Sequence, residues 1–125
     1  MTAGRILIVE DFADSRDMYI EFLEAQGFEV AGAEDGLAAL KSIEKVRPDI
    51  VVLDVALPKL DGLSVLRRLR ADPRYAKLPV LTLSASLGTD YQKMAMAAGA
   101  TVALEKPLLP DELLEAVRKA LKDRH

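Results

Sequence analysis

The sequence predicts a doubly wound α/β domain, a five-stranded parallel sheet with helices on both faces. Apolar strand-like runs alternate with amphipathic helical stretches five times along the 125 residues, the order such a sheet requires. The run Ile50-Val51-Val52-Leu53 is continuous and mostly β-branched, as a strand buried on both faces should be. It ends on one carboxylate, Asp54, where the chain must leave the sheet. Ligands of open α/β sheets bind outside the carboxyl ends of the strands. An acid delivered there by a greasy strand is either paired or functional.

Taken in order, Arg5–Val9 is the first strand and runs into the acidic pair Glu10-Asp11. A helix is expected from about Ser15, with Asp14 as its N-cap, an inner face of Met18, Phe22 and Ala25, and Gly27 as its stop. Phe28–Ala33 gives the second strand. Asp35-Gly36 turns into a helix with Leu40 and Ile43 inward, ended by Pro48. Asp49–Asp54 is the third strand. A loop holding Pro58 follows, and Asp61-Gly62 opens a helix carrying Leu63, Leu66 and Leu69, broken by Asp72-Pro73. Leu78–Ser84 is the fourth strand, and the loop from Ala85 to Gly88 leads to a helix ending near Gly99. Ala100–Glu105 is the fifth strand, followed by Lys106-Pro107. A last helix from Pro110 to Lys122 turns Leu114, Val117 and Leu121 inward.

The length suits one domain, residues 1–125, with no second module. Half the residues are hydrophobic and 30% are charged, a globular balance. A net charge of −3 with both signs scattered gives no nucleic-acid footprint. The absence of cysteine excludes disulfides, zinc–thiolate sites and thiol catalysis. No apolar run approaches about 18 residues and no basic leader precedes one, so a cytoplasmic protein is expected.

Right-handed crossovers with the first strand inside the sheet leave a crevice between strands one and three, where Glu10, Asp11 and Asp54 would converge. Three carboxylates there repel by roughly 3 kcal/mol per pair at ~5 Å and an effective dielectric of about 20. An oxygen-only cluster lacking His and Cys suits a hard ion such as Mg²⁺, whose shell is commonly completed by phosphate oxygens. A carboxylate can itself attack phosphorus. Ser84 and Lys106 close strands four and five and would add a hydroxyl and an ammonium for the charge on the transferring group.

These residues, Glu10-Asp11, Asp54 with Pro58 and Asp61-Gly62, Ser84-Ala85 and Lys106-Pro107, resemble the receiver domain of two-component response regulators. The likeness runs from residue 5 to about 122 and is most specific over Leu53–Gly62. It implies the flavodoxin-like (βα)₅ fold with strand order 2-1-3-4-5, as a stand-alone, chemotaxis-regulator-like protein. It implies Asp54 as phosphoacceptor, with Glu10 (through water), Asp11, Asp54 and the carbonyl of Ala56 around Mg²⁺, for which Mn²⁺ could substitute. Ser84, with Ala85 beside it, and Lys106 would bind the phosphoryl group. Pro58, Gly62 and Pro107, the last after a cis peptide, would be structural. The donor would be a histidine kinase or a histidine phosphotransfer protein. The output partner would be a protein met through the 84–88 loop and the last two helices with the strand between them. Neither nucleic acid nor membrane is expected as a partner, and the chain should be a monomer or weak dimer rather than an enzyme.

Departures from the family pattern carry their own expectations. Glu10 stands where aspartate is more usual. Ala103, three residues before Lys106, replaces the family's switch aromatic, so activation should run through the 84–88 loop and the fourth helix. Ala56 and Ser86 occupy the positions that tune dephosphorylation, and neither orients water well, which predicts a slow reaction. A haloacid-dehalogenase-type phosphatase would need an aspartate where Ala56 stands. A pseudo-receiver used only for constitutive binding would not need the complete acidic set. Phe12 is read as a buried staple against the first helix or, by slight preference, an exposed anchor for a kinase helix, Tyr91, Met94 and Met96 as core or incidental, and Arg67, Arg68 and Arg70 as a solvated face. His125, the only histidine, excludes a phosphohistidine donor.

Overall fold

The computed structural model describes residues 3–85 and 89–124. Five strands, β1 (Arg5–Val9), β2 (Glu29–Ala33), β3 (Ile50–Asp54), β4 (Val80–Ala85) and β5 (Val102–Lys106), form one sheet in the order β2-β1-β3-β4-β5. Every pairing is parallel. Helices α1 (Ala13–Ala25), α2 (Gly36–Val46), α3 (Gly62–Ala71), α4 (Thr89–Ala98) and α5 (Pro110–Asp123) make the crossovers, with a short 3₁₀ turn at Pro73–Tyr75. The order expected from the sequence is the order observed.

Alternation along the strands divides the core in two. Leu7, Val9, Val51 and Leu53 face α2, α3 and α4, where they meet Ile43, Leu66 and Leu69. Ile6, Ile8, Ile50 and Val52 face α1 and α5, where they meet Leu23, Leu113 and Val117. All five residues of β3 are buried, so both layers close on it.

Local chemistry sets most helix limits. Asp35 caps α2 by accepting from the Ala38 N–H at 2.8 Å, and Asp61 caps α3 by accepting from the Ser64 N–H at 2.9 Å. Arg47 ends α2 in the left-handed region at φ 53°, just before Pro48. The Glu112 carboxylate accepts from the Leu109 N–H at 2.9 Å in front of α5.

Helix α1 departs from the expectation twice. It starts at Ala13 with Phe12 at the N-cap, so Asp14 is a first-turn acid facing the helix dipole rather than a cap. Its buried residues are Tyr19 and Leu23, whereas Met18 is 41% exposed and Ala25 is exposed. Apolar residues crowd positions 18–23 and offer two helical phases; the phase that delivers the Tyr19 hydroxyl to the Leu108 carbonyl at 2.9 Å wins. Strands shift modestly as well. Phe28 and Asp49 fall outside β2 and β3, while β4 and β5 begin two residues later than expected and extend to Ala85 and Lys106. Leu121 is only half-buried, and Leu113 is buried on α5 along with Leu114 and Val117.

The α3 arginines divide. Arg67 and Arg68 are solvated, but half-buried Arg70 donates to the Gly99 carbonyl and the Tyr75 carbonyl, both at 2.8 Å. It brackets the ends of α3 and α4 and is not part of a free face. Phe12 is exposed at 60%; Met94 and Met96 are exposed as well rather than in the core, while Tyr91 is partly buried against it.

Candidate metal and phosphoryl site

The carboxyl end of the sheet gathers the predicted residues. Glu10 follows β1 and is held by its N–H donating to the Ala33 carbonyl at 3.0 Å. The guanidinium of Arg16 donates to the Glu10 carbonyl at 2.8 Å, tying the same backbone to α1. Asp54 ends β3, opposite Leu83 of β4. Ser84 and Ala85 pair with Glu105 and Lys106 across the β4–β5 ladder. Glu10, Asp54 and Ser84 are buried; Asp11, Ala56 and Ala85 are exposed, so the site opens to solvent on one side.

Carboxylate oxygens of Glu10, Asp11 and Asp54 lie within 4.8 Å of one another. One ammonium serves two of them. Lys106 Nζ donates to Asp54 Oδ2 at 2.8 Å and to Glu10 Oε1 at 2.9 Å. The other oxygen of Asp54, Oδ1, accepts from the Ala56 N–H at 3.0 Å, and Glu10 Oε2 accepts weakly from the Phe12 N–H at 3.3 Å. Burial pulls the Lys106 ammonium down, but its bonds to Asp54 and Glu10 outweigh this and leave its pKa raised. Burial also raises the Tyr19 phenol, against the opposing charge of Lys106.

Three acids against one ammonium leave negative charge uncompensated in a half-buried crevice. The donor set is all oxygen, from two elements that meet at the sheet edge, and Asp11 keeps it open to solvent. Those features fit a hard divalent ion that retains waters. A cavity of about 670 Å³ lies elsewhere, between the C-terminus of α2 and the 3₁₀ turn. It holds no convergent carboxylates, and the chemistry rather than the volume marks the site.

The structural residues keep this edge in shape. A Cβ on Gly62 would overlap the Asp54 carbonyl oxygen, so only glycine admits the close return of α3. The Pro58 carbonyl accepts from the Leu60 N–H at 2.7 Å, closing the β3–α3 loop. The Lys106–Pro107 peptide is cis. Ala103 is half-buried on β5 and, with Gln92, Met96 and Val102, lines an open cavity of about 560 Å³. Ser86, Leu87, Gly88 and His125 lie outside the described residues.

Sequence reasoning missed Tyr19 and Arg16 as supports. Each acts through a backbone carbonyl, at Leu108 and Glu10, and the only signal was a polar tip on the crevice end of a helix.

A parallel sheet reversing beside β1, with an acidic, lysine-bridged crevice at the reversal, defines a phosphate- or metal-handling α/β protein. The model of the response regulator receiver domain matches residues 6–118, and the chain belongs to that family. The transcriptional regulatory protein PrrA of Mycobacterium tuberculosis is 40% identical over 124 residues, which are 99% of this chain and 52% of that protein. The DNA-binding response regulator MtrA of the same species is 37% identical over 118 residues, 94% of this chain and 50% of that protein. The chain thus spans about half the length of these curated relatives. Among solved structures, the chemotaxis response regulator CheY4 of Vibrio cholerae superimposes with a TM-score of 0.89 at 31% identity, covering 95% of this chain and 99% of that one. Among the described residues, no helix is long and apolar enough to cross a membrane.

Proposed function

We propose that this receiver domain is a phosphoacceptor switch in which Asp54 takes a phosphoryl group from a histidine kinase or a histidine phosphotransfer protein. The observation that carries the reading is the environment of Asp54: a buried carboxylate with one oxygen on a backbone N–H, the other on Lys106, and two further acids within reach. An oxygen of Asp54 attacks phosphorus, the P–N bond to a donor imidazole protonated on its other ring nitrogen breaks, and the electron pair returns to the ring, leaving neutral imidazole and an acyl phosphate. A Mg²⁺ held by Glu10, Asp11, Asp54 and the Ala56 carbonyl would neutralise charge on the transferring oxygens. Lys106 already sits on Asp54 and can follow the charge onto a phosphoryl oxygen, and the Ser84 hydroxyl can donate to another.

The output partner is a protein met through α4, β5 and α5, in the cytoplasm, and nucleic acid is not contacted by this domain. With Ala103 in place of an aromatic ring, the signal passes through the loop before α4. Ala56 leaves the attacking water unoriented, so the acyl phosphate should outlast a minute or so in the isolated protein. Beryllofluoride with Mg²⁺ tests the reading: it should bind the wild type and not Asp54→Asn. No binding to either would remove phosphorylation and favour a domain used for constitutive contacts.

A further inference from the structure

Outside the crevice, one more carboxylate among the described residues is almost wholly buried: Asp35, at 5% exposure. Its Oδ1 caps α2, but its Oδ2 lies 3.5 Å from Lys59 Nζ, on the β3–α3 loop. Lys59 holds the left-handed backbone at φ 67°, unusual for a lysine. The next residue on each side makes a second contact. A Cβ on Gly36 would overlap the Leu60 carbonyl oxygen and crowd the Leu60 Cβ. The cap and the first residue of α2 therefore grip two successive residues of the loop. That loop carries Ala56, whose N–H holds Asp54 Oδ1.

We propose that Asp35 and Gly36 are positioning residues for the metal site, clamping the β3–α3 loop so that the Ala56 carbonyl is pre-set against the carboxylates. The proposal rests on the Mg²⁺ reading given above. Mg²⁺ demands near-ideal octahedral geometry, so a loop free to shift by an ångström would hold it poorly. A left-handed lysine opposes folding, and a loop with no positional task would not need one. The capping role of Asp35 is separate, because it uses the other oxygen.

The test is Mg²⁺ affinity of the full chain by titration calorimetry, with amide NMR shifts at Ala56 and thermal unfolding without metal as controls. Gly36→Ala should weaken Mg²⁺ about tenfold, the low end for loss of an outer-shell support. Lys59→Met should weaken it about threefold, in keeping with one partly exposed ion pair. The sign of the second result is decisive. Removing a cation near an anionic site should by Coulomb's law tighten Mg²⁺, so weakening can come only from lost position. In an Asp35→Asn background, which keeps an acceptor for the Ala38 N–H, Lys59→Met should weaken binding no further. A merely structural clamp would lower the melting temperature and leave Mg²⁺ affinity unchanged, which overturns the proposal. So would tighter binding by Lys59→Met, whose side chain is 64% exposed and whose variant should fold even where Gly36→Ala does not. A wild type that ignores Mg²⁺ would instead remove the parent reading, and the clamp with it.

Discussion

The two ends of the sheet handle acids differently. At the amino end the carboxylates meet their cations in solvent: Glu29 pairs with Arg5 at 2.8 Å and Asp49 with Arg124 at 3.3 Å, all four side chains about half exposed. At the carboxyl end Glu10 and Asp54 are buried and share one ammonium, with Asp11 close by. Solvated pairs contribute little because water competes for both partners. A buried, undercompensated cluster opposes folding and persists where something else uses it. The difference separates an edge that closes the fold from an edge that does chemistry.

The largest expected break comes from Asp54→Asn. Incubated with acetyl phosphate and Mg²⁺, the wild type should gain one phosphoryl group by intact mass, and the variant none. Equal labelling of the variant would place the acceptor elsewhere and dissolve the contrast between the edges. Lys106→Met comes next. It leaves two buried acids without their cation and should lower stability by about 3 kcal/mol in urea unfolding without metal, as for a buried pair with one partner removed. Saturating Mg²⁺ should recover part of that loss. A Lys106→Met variant as stable as wild type, with or without Mg²⁺, would mean the cluster is already well solvated.

How much of this was legible in the sequence follows from the range of each interaction. Strand ends are local: a β-branched run closing on Asp54, or on Glu10-Asp11, announces which edge its acids reach, and parallel pairing then brings them together. The α1 phase was not legible, because Met18, Tyr19, Ile20, Phe22 and Leu23 satisfy two helical faces and only the Leu108 carbonyl chooses between them. Arg70 was misread within a basic run because its partners, the Gly99 and Tyr75 carbonyls, are backbone groups that sequence does not mark. The Asp35–Lys59 contact was hidden for a similar reason, since each residue alone reads as a cap or a surface lysine.

The amino edge supplies the counter-test. Glu29→Gln removes the carboxylate that Arg5 Nε meets at 2.8 Å, yet both side chains stand in water. No resolvable change in melting temperature is expected, and a loss comparable to that of Lys106→Met would erase the distinction between the two edges.

A pH-dependent effect concerns what the edges have in common, their solvated caps. Asp61 caps α3 at the carboxyl edge and is held below the usual carboxylate range, first by the Ser64 N–H and then by its hydroxyl. Asp72 caps the 3₁₀ turn near the other edge and is lowered mainly by the Arg74 side chain, with its N–H. For both, the folded pKa lies below the unfolded value near about 4. The unfolded chain therefore takes up the proton first as pH falls, and the stability each carboxylate contributes is complete above that value. It disappears as pH drops through the lower folded pKa. Asp61→Asn and Asp72→Asn keep an acceptor oxygen but do not titrate. Melting temperatures measured from about pH 6 to about pH 3 should show the wild type leading each variant at the upper end and losing that lead at the lower. The two variants should behave alike. If Asp61→Asn instead kept a constant deficit while Asp72→Asn did not, the cap at the carboxyl edge would be coupled to the buried acids, and the boundary of the site would have to be drawn to include α3.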